Sequence, residues 1–106
     1  MTIKNISDYL EEIAPLNQAE DFDNVGLLIG NETTEVEGIL VTLDTLEETV
    51  DEAIKKKCNL IVSFHPIIFS GLKKINGNSY VEKAVLKAIQ NNIAIYATHT
   101  ALANSK

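Results

Sequence analysis

Four short aliphatic runs, separated by stretches whose apolar residues recur every three or four positions, constrain the fold of this chain more than any other feature. The runs are Val25 to Ile29, Gly38 to Asp44, Leu60 to Phe64 and Ile93 to Ala97. Asp23-Asn24 and Gly30-Asn31 bound the first as turns. The third stops at His65-Pro66, because proline has no N–H to give a continuing ladder. Gly38 to Asp44 is aliphatic enough to read as a strand buried on both faces.

The intervening stretches read as helices. Ile3, Ile6, Leu10 and Ile13 predict an amphipathic helix over residues 3–13, with Thr2 as its cap and Pro15 closing the run. Thr45-Leu46-Glu47-Glu48 reads as a capping box that opens a helix to about Lys57, with Leu46, Val50, Ala53 and Ile54 as its buried face. Ser79-Tyr80-Val81-Glu82 repeats the pattern and opens a helix to about Gln90, packing through Val81, Ala84, Val85, Ala88 and Ile89. Strand, helix, strand, helix, strand with connections of this length is the pattern of right-handed parallel crossovers. The expected fold class is α/β, an open, mainly parallel sheet flanked by helices, formed as one domain over residues 1–106.

Composition narrows the function classes. A hydrophobic content of 45% in 106 residues supports one modest core, and neither an internal repeat nor a linker divides it. No stretch approaches the roughly 18–20 apolar residues of a membrane span, and Met1-Thr2-Ile3-Lys4-Asn5 lacks the layout of a signal peptide, so a cytoplasmic protein is expected. Cys58, the single cysteine, excludes an intrachain disulfide and reads as packing at a helix-to-strand junction. Residues 1–50 carry twelve acidic side chains against Lys4 alone, which gives no strong signal for nucleic-acid binding. Lys73 and Lys74, in the loop after His65, are the lysines best placed to meet a small anionic substrate.

In such a sheet the strands end at Asp44, His65 and His99 on one edge, outside the carboxyl ends where α/β proteins gather their ligands. Imidazole is the commonest protein ligand for transition metals, so His65 and His99, with Asp44 beside them, form a candidate metal site. Two histidines are a poor ligand set by themselves, and a histidine after a strand also serves as a hydrogen-bonded structural residue. A dinucleotide or P-loop site lacks its glycine-rich motif. Ser63 beside His65 does not make a convincing nucleophilic relay.

Asp23-Asn24-Val25-Gly26-Leu27, Leu43-Asp44-Thr45, His65-Pro66-Ile67-Ile68-Phe69 and Ile95-Tyr96-Ala97-Thr98-His99-Thr100 together resemble, in order, the Nif-three-like proteins, also named GTP cyclohydrolase 1 type 2 homologues. The resemblance implies a fold that assembles into a toroidal homo-hexamer around an internal cavity. It also implies a dinuclear centre of divalent metal (zinc, iron or manganese) and hydrolysis of a nucleotide-like or phosphate-like substrate. The implied ligands come from a His-His-Pro segment, a His-Thr-x-x-Asp segment and a later His-x-x-x-Glu segment. His65 and His99 match two of them, whereas Phe64 stands where the first histidine would be and Ala103 where the aspartate would be. The third segment does not occur in residues 1–106, so the chain resembles the N-terminal portion of a longer one. Metal binding is accordingly expected to be weak or absent. A non-catalytic binding or assembly module that keeps the fold without the metal chemistry is the alternative.

Overall fold

The computed structural model describes residues 1–19, 24–67 and 74–99. Strands β1 (Gly26–Ile29), β2 (Ile39–Thr42), β3 (Leu60–Ser63) and β4 (Ala94–Ala97) form one sheet in the order β1-β4-β3-β2. β2, β3 and β4 are parallel and stay in register from Ile39, Leu60 and Ala94 to Thr42, Ser63 and Ala97. β1 joins the far edge antiparallel to β4, so the sheet is open and mainly parallel as expected.

Three helices cover it: α1 (Ile3–Ile13), α2 (Glu47–Lys55) and α3 (Tyr80–Gln90). Successive strand residues point to opposite faces. Ile61 and Ile95 therefore pack under Val50 and Ala53 of α2 and Ala84, Val85 and Ala88 of α3. Leu60, Ala94 and Tyr96 pack on the other face under Ile3, Ile6 and Leu10 of α1. Coverage on both sides explains why β3 and β4 read as nearly continuous apolar runs.

The helix ends follow local chemistry. Thr2 and Asn5 cap α1 reciprocally: the Asn5 N–H donates to Thr2 Oγ1 at 3.3 Å and the Thr2 N–H to Asn5 Oδ1 at 2.9 Å. At α3, Ser79 Oγ accepts from the Glu82 N–H at 3.2 Å. The Glu82 carboxylate accepts in turn from the Asn76 N–H, the Ser79 hydroxyl and the Asn78 N–H, which together hold its carboxyl below the usual range. Lys57 and Asn92 each take a left-handed conformation just past α2 and α3. The N–H groups of Cys58 and Ile93 then return 2.8 Å bonds to Ala53 and Ala88, closing both helices.

Three sequence expectations need correction. Gly38 to Asp44 is not a strand buried on both faces. β2 is the sheet's edge, α1 does not extend over it, and Ile39 and Val41 stand 42% and 75% exposed. Thr45 is not the cap of α2, because the carbonyl of Asp44 draws in the hydroxyls of Thr42 and Thr49 and tightens the turn. Leu46 holds the cap position instead, donating its N–H to Thr49 Oγ1 at 3.1 Å, and Thr45 is buried with its hydroxyl unpaired among the described residues. Leu46 and Ile54, placed on the buried face of that helix, lie exposed at its rim, as does Ile89 on α3. Cys58 is partly buried against the core, as read from its neighbours.

Candidate functional site

The parallel ladder continues past the strand ends, and this continuation builds the site. The N–H groups of Phe64 and His65 donate to the carbonyls of Thr42 and Leu43 at 3.1 and 2.9 Å. Those of Thr98 and His99 donate to Ser63 and Phe64 at 3.0 and 2.7 Å. The Ser63 hydroxyl, fully buried, donates to the carbonyl of His65 at 2.8 Å and lies 3.3 Å from that of Leu43. Ser63 is therefore a clamp for the turn rather than a nucleophile. Three backbones are fastened together at the point where the histidines emerge.

Asp44, His65 and His99 meet at this edge, as the parallel reading requires. The Nδ1 atom of His65 lies 2.6 Å from Asp44 Oδ1. With Nδ1–H donating to the carboxylate, Nε2 carries the lone pair and is the atom free to bind a ligand. Asp44 thus acts on His65 rather than standing as an independent donor. The imidazoles of His65 and His99 are edge to face with ring centres 5.3 Å apart. Two imidazoles bound to one tetrahedral ion, with metal–nitrogen distances of about 2 Å, place their ring centres roughly 5 Å apart. Their spacing fits a shared ion.

Phe64 completes a triangle of rings, 5.0 Å from His65 and 5.3 Å from His99, edge to face with both. It offers carbon where a further ligand would be needed. Among the described residues no group of three or more His, Cys, Asp and Glu side chains could hold a metal ion. His99 has a positive φ of 21°, uncommon for a residue with a side chain and a form of strain that concentrates at functional positions. Beside the rings an apolar groove of about 210 Å³ runs between Phe64, Thr98, Val41 and the end of α1.

Several sequence-derived positions lie outside the described residues: Asp23, Ile68, Phe69, Lys73, Thr100 and Ala103. Lys74 is exposed. Two features escaped the sequence reading. One is the ring contact of Phe64 with both histidines, and the other is the buried Thr45 hydroxyl next to Asp44. The aromatic identity of Phe64 between strand end and histidine was the available signal for the first. No helix among the described residues is long and apolar enough to cross a membrane.

The family profile described as Duf34/NIF3 (NGG1p interacting factor 3) matches residues 1–106. Over 106 residues the chain is 40% identical to the GTP cyclohydrolase 1 type 2 homolog of Clostridium acetobutylicum, covering all of this chain and 40% of that protein. It is 44% identical over 102 residues to the protein of the same description in Staphylococcus epidermidis, covering 96% of this chain and 28% of that one. The crystal structure of Staphylococcus aureus hypothetical protein SA1388 superposes with a TM-score of 0.92 at 44% identity, covering 96% of this chain and 29% of that chain. Reduced HcgD from Methanocaldococcus jannaschii superposes with a TM-score of 0.88 at 27% identity, covering 96% and 41%. The chain spans 28–40% of the length of these two curated relatives.

Proposed function

The chain belongs to the Duf34/NIF3 family, and from that premise we propose that its sheet edge is a reduced metal site, with one divalent ion held weakly between His65 and His99. The observation that carries this reading is the pair of imidazoles 5.3 Å apart, with Phe64 packed against both. Zinc or iron suits two imidazole donors, whereas manganese prefers oxygen donors. When bound, such an ion supplies a Lewis acid and lowers the pKa of water, the chemistry of phosphate-ester or nucleotide hydrolysis. The chain's own part is to hold His65 in one tautomer through Asp44, to fix His99 by its backbone, and to keep water from one side with the Phe64 ring. On this reading the family's hydrolytic function needs donors beyond those of the described edge.

A second reading is a binding or assembly module that keeps the fold without the chemistry. The open face of β2 and the residue just past it, with Val41 75% exposed and Leu43 62% exposed, favour it. Self-association into a homo-oligomer, the hexamer of the family resemblance included, belongs to this proposal, since an uncovered edge strand and apolar face invite pairing.

Metal analysis after dialysis tests the first reading. Purified protein is expected to retain less than one equivalent of metal per subunit, and two equivalents would overturn a reduced site. Asp44→Ala removes the partner that orients His65, and zinc affinity should fall about 10–100-fold in a competition titration. An unchanged affinity would remove Asp44 from the site.

A further inference from the structure

The two edges of the sheet are built differently. β1 breaks its register with β4 between Leu27 and Ile29, and irregularity of that kind is one way sheets keep an edge from pairing. β2 has no such guard: Ile39-Leu40-Val41-Thr42 contains neither proline nor charge and stays in unbroken register with β3. The N–H groups of Leu60 and Phe64 donate to the carbonyls of Gly38 and Thr42, so Leu40, two residues from each, also faces β3. Ile39 and Val41 therefore turn their N–H and C=O groups outward, where no strand among the described residues takes them up.

An open edge alone names no partner, but α2 beside it does. Lys87 of α3 pairs with Glu47 and Asp51 at 2.9 and 2.8 Å, which sets that flank of α2 toward α3. Glu52 and Lys56, paired at 2.6 Å, lie on the opposite flank, toward the open edge. Charge also changes sign along the helix: its first turn holds Glu47 and Glu48, and its end holds Lys55, Lys56 and Lys57. A second α2 laid antiparallel alongside sets an acidic turn against a basic end twice over, whereas a parallel one sets like against like.

We propose that two copies of this chain join β2 to β2 antiparallel, about a two-fold axis beside Leu40, to form one continuous sheet. This rests on the assembly reading above and gives it a partner, a second copy. Ile39 of one copy lies opposite Val41 of the other, and each such pair exchanges both of its N–H···O bonds. Val50 and Ala53 seat α2 over Leu40 and Ile61, between β2 and β3. Its axis therefore lies about half a strand spacing inside the edge, and the two-fold puts the two α2 axes about two strand spacings apart, roughly 9–10 Å. Helices pack side by side at about 8–10 Å. Glu48 of each copy then lies alongside the partner's Lys56.

Sedimentation equilibrium of the 106-residue chain tests this. A dimer is expected at about 100 μM chain, weakening as salt is added. Val41→Lys places a charge at the joint, on a residue exposed in the single copy, and should weaken the dimer at least about 100-fold while circular dichroism stays that of the parent. Glu48→Lys and Lys56→Glu should each weaken it about tenfold, since each sets like charges together at both symmetric contacts. Mixed in equal amounts, those two variants should recover the parent's affinity, because each contact then joins opposite charges. A chain that stays monomeric at that concentration would overturn the pairing and the assembly reading together. An oligomer that Val41→Lys leaves intact would overturn the β2 pairing alone, and so would a mixture no tighter than its components.

Discussion

Phe64→His combined with Ala103→Asp is expected to raise zinc affinity at least about tenfold, roughly 1.4 kcal/mol. The Phe64 ring already lies 5.0 and 5.3 Å from the two imidazoles, so a histidine there brings a third nitrogen donor to the same point. The aspartate adds anionic charge that two neutral imidazoles do not supply. The single variant Phe64→His separates the two contributions. Without metal it should be less stable than the parent, because each edge-to-face ring pair it gives up contributes about 0.5–1.5 kcal/mol. Zinc should restore that loss. Competition with a chelating dye measures the affinity, and an affinity unchanged in the double variant would mean that the strand ends are not arranged to share an ion.

Ile61→Ala is expected to cost about 2–5 kcal/mol of unfolding free energy, whereas Val41→Ala on the neighbouring strand should change it by no more than about 0.5 kcal/mol. The contrast follows from position alone. Ile61 is fully buried among Val50, Ala53, Ala84, Val85 and Ala88, and deleting its outer carbons leaves a cavity between the sheet and two helices. Val41 points from the edge strand into open space beyond α1. Urea denaturation at low protein concentration measures both. A cost above about 1.5 kcal/mol at Val41 would show that its face is covered in solution.

The contrast between these residues also shows what could be read from the chain. Leu60 to Phe64 and Ile93 to Ala97 were legible as strands because burial on both faces leaves a continuous aliphatic run. Gly38 to Asp44 has the same appearance yet forms an edge with one bare face, since an apolar side chain does not reveal whether anything lies over it. Ser79 announced its helix correctly, while Thr45 did not, because the turn after β2 competed for the groups a cap would use. The convergence of Asp44, His65 and His99 followed from parallel topology. Their roles did not. The 2.6 Å contact that makes Asp44 the partner of His65, and the three-ring packing around Phe64, depend on side-chain directions that spacing leaves open.

Imidazole nitrogen NMR during a zinc titration tests the shared-ion site most directly. If His65 and His99 share one ion and Asp44 holds the Nδ1 proton of His65, the ring signals of both histidines move together along one saturable curve. The curve ends at one zinc per chain, with His65 bound through Nε2. Movement of His65 or His99 alone, or a curve that ends at two zinc ions per chain, would contradict it.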